Sequence, residues 1–100
     1  MRSTETDIAR AAMTYLETTP NGEATIRAVK ANLPKFRRLS SQDLAASPTR
    51  RNESVWEQQV RNIVSHRNSP GNFIADGLLT RRPRRLAITP LGRRRLARTP

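Results

Sequence analysis

Residues 78–88 read Leu-Leu-Thr-Arg-Arg-Pro-Arg-Arg-Leu-Ala-Ile, and the fold turns on how they are read. Two short apolar runs, Leu78-Leu79 and Leu86-Ala87-Ile88, flank a charged centre. Apolar runs of strand length on either side of a turn signal are the pattern of a β-hairpin. Pro83 brings turn chemistry and lacks the N–H that a central strand must donate, so it belongs at the tip. Arg81, Arg82, Arg84 and Arg85 then crowd the tip, where a core contact is least available. A guanidinium offers a planar fork of donors that matches phosphate oxygens better than an ammonium does.

On the N-terminal side of this hairpin lies the strongest helical pattern in the chain, residues 53–67. Trp56, Val60, Ile63 and Val64 fall in one stripe at about 100° per residue, with Asn52 as the candidate cap. Ser54, Gln58, Arg61, Asn62 and Ser65 fall opposite, a face rich in side chains that donate and accept hydrogen bonds. Asn68-Ser69-Pro70-Gly71-Asn72 breaks the helix, and Phe73-Ile74-Ala75 makes an apolar turn closed by Asp76-Gly77. On the other side of the hairpin, Thr89-Pro90 starts a last short helix anchored by Leu91 and Leu96.

Further upstream, residues 5–18 predict an amphipathic helix. Ile8, Ala12 and Leu16 recur every four residues, with Ala9 and Met13 beside them and Thr4 or Thr6 as cap. Thr18 to Gly22 stops it. A second helix is expected over 23–33, with Ile26, Val29 and Leu33 on one face and Pro34 as its end. Ser40 and Asp43 have capping-box spacing and predict a short helix closed by Ser47-Pro48, with Leu39 and Leu44 as its core contacts.

The chain has 100 residues, 19 of them Lys or Arg against 8 Asp or Glu, a formal charge of +11. That length leaves room for one small domain, expected to be ordered over about 5–97. The charge is uneven. Residues 49–100 hold twelve bases and three acids, a net of +9, and no acid follows Asp76. An arginine-rich segment reads as a disordered tail, a solvated face or a polyanion-binding surface. The regular interruption by apolar residues and turn signals favours the third. With no cysteine there is no disulfide or Cys-ligated metal. His66 is the lone histidine and the acids are dispersed, so no metal site, cofactor or catalytic constellation is expected, and the chain is not expected to be an enzyme. No apolar run approaches a membrane span and MRSTETDIAR carries no leader-like stretch, which points to a cytoplasmic, nucleoid-associated protein.

The expected order is helix, helix, short helix, long helix, hairpin, short helix. That is mainly α with a small β-hairpin, the order of a winged helix-turn-helix. In such a fold the helix before the hairpin enters the major groove and the hairpin wing reaches the backbone or minor groove of double-stranded DNA. Arg50, Arg51, Arg81, Arg82, Arg84, Arg85 and Arg93 are then candidate backbone contacts. Ser54, Gln58, Arg61, Asn62 and Ser65 are the candidates to face base edges. Trp56 could stack on a base, but its alignment with Val60 and Ile63 favours the core. Tyr15, Phe36 and Phe73 lie on separate elements, unlike the paired aromatics of an RNA-binding sheet.

The chain also resembles the N-terminal winged-helix domain of Mrr-like restriction endonucleases. The likeness runs through Gly22-Glu23-Ala24-Thr25-Ile26, Arg51-Asn52-Glu53-Ser54-Val55-Trp56, Val60-Arg61-Asn62, Asp76-Gly77-Leu78-Leu79 and Leu86 to Arg93. The resemblance implies a DNA-reading module of the restriction-modification kind, expected either as part of a larger nuclease or as a small stand-alone binder. Two other classes fit the charge: an RNA- or ribosome-associated basic protein, and a protein-interaction winged helix. In the latter the small residues Ala9, Ala11 and Ala12 of the first helix would form a homodimer face.

Overall fold

The structure, a computed structural model, describes residues 1–50 and 52–98. Among them are five α-helices and one three-stranded sheet: α1 (Glu5–Glu17), β1 (Glu23–Thr25), α2 (Ile26–Asn32), a 3-10 turn (Leu33–Lys35), α3 (Ser41–Leu44), α4 (Val55–Ser65), β2 (Leu79–Arg82), β3 (Arg85–Ile88) and α5 (Pro90–Arg98). The fold is mainly α with a small antiparallel sheet, as the sequence pattern predicts. No helix among the described residues is long and apolar enough to cross a membrane.

Each helix starts where a side chain takes up an orphan backbone N–H. Thr4 and Asp7 form a reciprocal capping box on α1, at 3.0 and 2.9 Å. Ser40 and Asp43 do the same on α3, at 3.1 and 3.0 Å. On α4 the cap is Ser54, not Asn52: the Glu57 carboxylate accepts from both the Ser54 N–H and its hydroxyl, at 3.0 and 2.9 Å. The helix runs two residues shorter at each end than the expected 53–67.

The strand order is β1-β3-β2, all antiparallel. β1 corrects the expected 23–33 helix. Glu23, Ala24 and Thr25 pair with Ala87, Leu86 and Arg85, and the helix starts only after Thr25, whose hydroxyl accepts from the Ala28 N–H at 3.0 Å. The helical spacing of Ile26, Val29 and Leu33 is real. What precedes it becomes strand because partners sixty residues away supply the ladder, a long-range cause invisible to local periodicity.

One apolar cluster binds the elements together. Ile8, Ala12, Met13 and Leu16 of α1 meet Val29, Leu33, Trp56, Val60 and Ile63 from the other helices, and Leu79, Leu86 and Ile88 from the sheet. Trp56 belongs to this core, which removes it as a stacking platform. Ala11, which lies off the Ile8-Ala12-Leu16 stripe of α1, is only 5% exposed. Ala9 and Ala12 are equally covered within the same chain, so the small-residue face of α1 is not a dimer surface. Tyr15 and Phe36 do pair, ring centroids 5.7 Å apart, but they pack at the edge of the core rather than on the sheet.

α3 is held by polar chemistry. Asp43, 1% exposed, accepts from the Ser3 N–H and hydroxyl at 2.6 and 2.8 Å and from the Ser40 N–H at 3.0 Å. Arg37 donates to the same Ser3 hydroxyl at 2.7 Å. With Asp43 turned inward on a four-residue helix, the adjacent side chain must turn outward. Leu44 is accordingly 59% exposed, against its expected core role, while Leu39 packs on the core.

Candidate nucleic-acid interface

The hairpin packs on the body of the protein through β3 and leaves β2 at the sheet edge. Leu79 is buried, but Thr80, Arg81 and Arg82 on β2 and Arg85 on β3 are all exposed. A strand covered on one face would bury every second residue; the edge strand β2 buries only Leu79, while the central β3 buries Leu86, Ala87 and Ile88. Pro83 and Arg84 make the turn, and Arg84 adopts φ 61°, a left-handed conformation that costs a residue with a Cβ energy and suits glycine. Its carbonyl accepts from the Ile26 N–H at 2.9 Å, which ties the hairpin tip to the first residue of α2.

This tie closes one side of a cleft of about 320 Å³ between α2, α4 and the hairpin. Ile26, Val60 and Val64 form its apolar floor. Lys30, Arg61, Arg81, Arg82, Arg84 and Arg85 supply its cations, and Ser65 its neutral hydroxyl. Residues from three elements, spread over sixty positions of sequence, thus converge on one concave surface.

Glu53 organises the cations on the helix side. Its carboxylate accepts from Arg61 Nε and Nη2 at 3.1 and 2.9 Å and from Lys30 Nζ at 3.1 Å, with Arg50 Nε 3.8 Å away. The Arg61 bonds, reinforced by Lys30, hold this carboxyl below the usual glutamate range against the opposing effect of burial, and Glu53 in turn raises the Arg61 guanidinium. Two anchored donors therefore sit with fixed geometry on the cleft wall. On the hairpin the acid is more distant: Arg82 lies 3.8 Å from Glu23, with the arginine side chain largely exposed.

The structure divides the sequence candidates. Arg81, Arg82, Arg84, Arg85, Arg61 and Ser65 come together at the cleft. Ser54 does not, being engaged as the α4 cap. Gln58 accepts from the Ser47 hydroxyl and thereby pins the loop between α3 and α4. Asn62 donates to Gln59 at 3.1 Å and is half-buried. The outward face expected of α4 is thus partly consumed by its own packing, because neighbouring loops fold over it. Arg50 is exposed on that loop, where the Ser47 hydroxyl accepts its N–H at 3.2 Å. Arg51 lies outside the described residues. Arg93 stands apart from the cleft, bonded to Glu17 at 2.5 Å.

Lys30 and Glu53 were not among the sequence candidates. Lys30 follows the buried Val29 on α2, and nothing local distinguishes it from any solvated lysine. Glu53 offers one signal: it is the only acid in Thr49 to Ser54, set among two arginines, a place where a carboxylate finds partners. Comparison with models of known protein families, with curated proteins and with solved structures finds no match to the chain.

Proposed function

We propose that this protein binds double-stranded DNA as a winged helix-turn-helix, with α4 presented to the major groove and the β2–β3 hairpin as the wing. The observation that carries this is the cleft in which Arg61 and Ser65 of α4 face four wing arginines and Lys30 across an apolar floor. Helix α1, a short strand, two further helices, α4 and a hairpin, with the first strand paired to the second hairpin strand, is a chain order suited to that role. Geometry and charge support the reading, not kinship. Wing arginines meet phosphates, which set affinity for any duplex. Arg61, held by Glu53 in bidentate geometry, is the side chain best placed to read a guanine edge.

Titration of salt tests this. With six cations on phosphates, log K falls against log salt with a slope of about −5. Replacing Arg81, Arg82, Arg84 and Arg85 by Gln leaves two and brings the slope to about −2, with affinity lost for all sequences alike. Arg61→Gln instead changes the ranking of sequences selected from a random duplex pool. A flat salt response, or preference for structured RNA over duplex at equal salt, defeats the reading.

A further inference from the structure

The arginines of α5 have no place in the cleft, and they are not a loose tail. Thr89 caps the helix: its hydroxyl accepts from the Gly92 N–H at 3.0 Å and donates to the Gly77 carbonyl at 2.5 Å, while its backbone N–H donates to the Leu78 carbonyl at 3.1 Å. Gly92 is buried directly on the backbone of Leu78, Leu96 packs on the core, and Arg93 is clamped by Glu17. The helix is seated at three points along its length. No acidic residue occurs in it, yet it carries Arg93, Arg94, Arg95 and Arg98.

At about 100° per residue, Gly92 and Leu96 define the inner side of α5, and Arg94 and Arg98 the outer side. Both are exposed, and among the described residues neither has a carboxylate within 4.0 Å. They stand one helical turn apart, about 6 Å along the axis. That separation lets both guanidinium groups reach phosphates of one duplex, whose charges recur about every 3.4 Å of helix axis on each strand. The position of this face matters as much as its charge. β2 and β3 pair from Arg82↔Arg85 at the tip to Leu79↔Ile88 at the base, and α5 starts beyond the base. Two to three residues of strand, about 7–10 Å, therefore separate the wing arginines from the base of the hairpin before side chains are counted. α5 rests on α1 and the sheet base, and none of its residues lines the cleft.

We propose that the outer face of α5 is a second duplex-binding surface, so that one copy of the chain bridges two DNA segments. This rests on the first reading, that the cleft binds duplex DNA. Rigid display distinguishes it from an ordinary solvated helix: a surface of uncompensated like charge, held by a buried glycine and a capping threonine, is stabilised when phosphates neutralise it.

The test uses the full chain, a short biotinylated duplex on beads and a fluorescent duplex in solution. Wild-type protein is expected to retain the fluorescent duplex on the beads. R94Q/R98Q is expected to bind a single duplex by anisotropy with affinity within about twofold of wild type, and to lose about tenfold in retention of the second. R94K/R98K, which keeps the charge, is expected to bridge. The proposal is overturned if wild type holds the bead-bound duplex but captures no other. It is equally overturned if R94Q/R98Q, with unchanged circular dichroism, bridges as well as wild type, which would place bridging in self-association. Absence of any single-duplex binding by wild type at low salt is a different failure, that of the cleft reading itself.

Discussion

Arg84 shows how a single residue can serve two demands at once. Its φ of 61° is a conformation that glycine adopts freely and a residue with a Cβ adopts at a cost of about 1 kcal/mol. Arginine at this position keeps a guanidinium among the cations that line the cleft. Arg84→Gly is therefore expected to hold or raise the thermal midpoint while weakening duplex binding about three- to tenfold. Melting followed by circular dichroism, beside anisotropy on one duplex, checks both halves. A lowered midpoint would show that Arg84 supports the turn itself, and unchanged binding would remove it from the interface.

At the scale of elements, α5 depends on the absence of a side chain. In an exposed helix interior Gly→Ala stabilises by about 1 kcal/mol. At Gly92 the sign reverses, because a Cβ would collide with the Leu78 carbonyl oxygen and come within 2.9 Å of Ile88 Cγ1. The carbonyl lies just before β2 and accepts from the Thr89 N–H, so it has little freedom to retreat. Gly92→Ala is expected to destabilise the protein by about 1–3 kcal/mol in urea unfolding, with α5 displaced. An increase in stability would show that α5 is not seated on the sheet. The hairpin itself was legible in sequence, since Pro83 between two apolar runs leaves few alternatives. β1 was not, because Glu23-Ala24-Thr25 has no strand pattern of its own and becomes one only against Leu86. Asp43 was legible as a helix cap from its spacing to Ser40. Its second role, gathering Ser3 from forty residues away, depends on contacts made only in the folded chain.

For the whole molecule, three carboxylates tie distant segments together, and all are held below their ordinary range. Hydrogen bonds from Thr4 lower Asp7, assisted by Arg37. Burial pushes Asp43 upward, but bonds from Ser3 and Ser40 outweigh it. Arg61 and Lys30 lower Glu53. A carboxyl whose folded value lies below its unfolded one stabilises the fold above the unfolded value, and that contribution disappears as pH falls toward the folded value. Stability is therefore expected to drop as pH falls below about 4. Asp43→Asn and Glu53→Gln should each be less stable at neutral pH and lose less on acidification. Urea midpoints across pH 2–7 check this; variants with the full wild-type acid slope would show that these carboxylates do not govern it.

Local sequence determined the caps, the helix stripes of α1 and α4, the hairpin and the concentration of charge after Asp76. These depend on backbone dihedrals, helical periodicity and proline, all of which act within a few residues. Only the tertiary structure decided which cations share a surface. It turned Gln58 and Asn62 toward their neighbours, brought Lys30 and Glu53 to Arg61, and set the arginines of α5 apart from those of the wing. The reason is one of range: a charge has its meaning from the groups packed around it, and here those groups come from elements that meet only when the core closes.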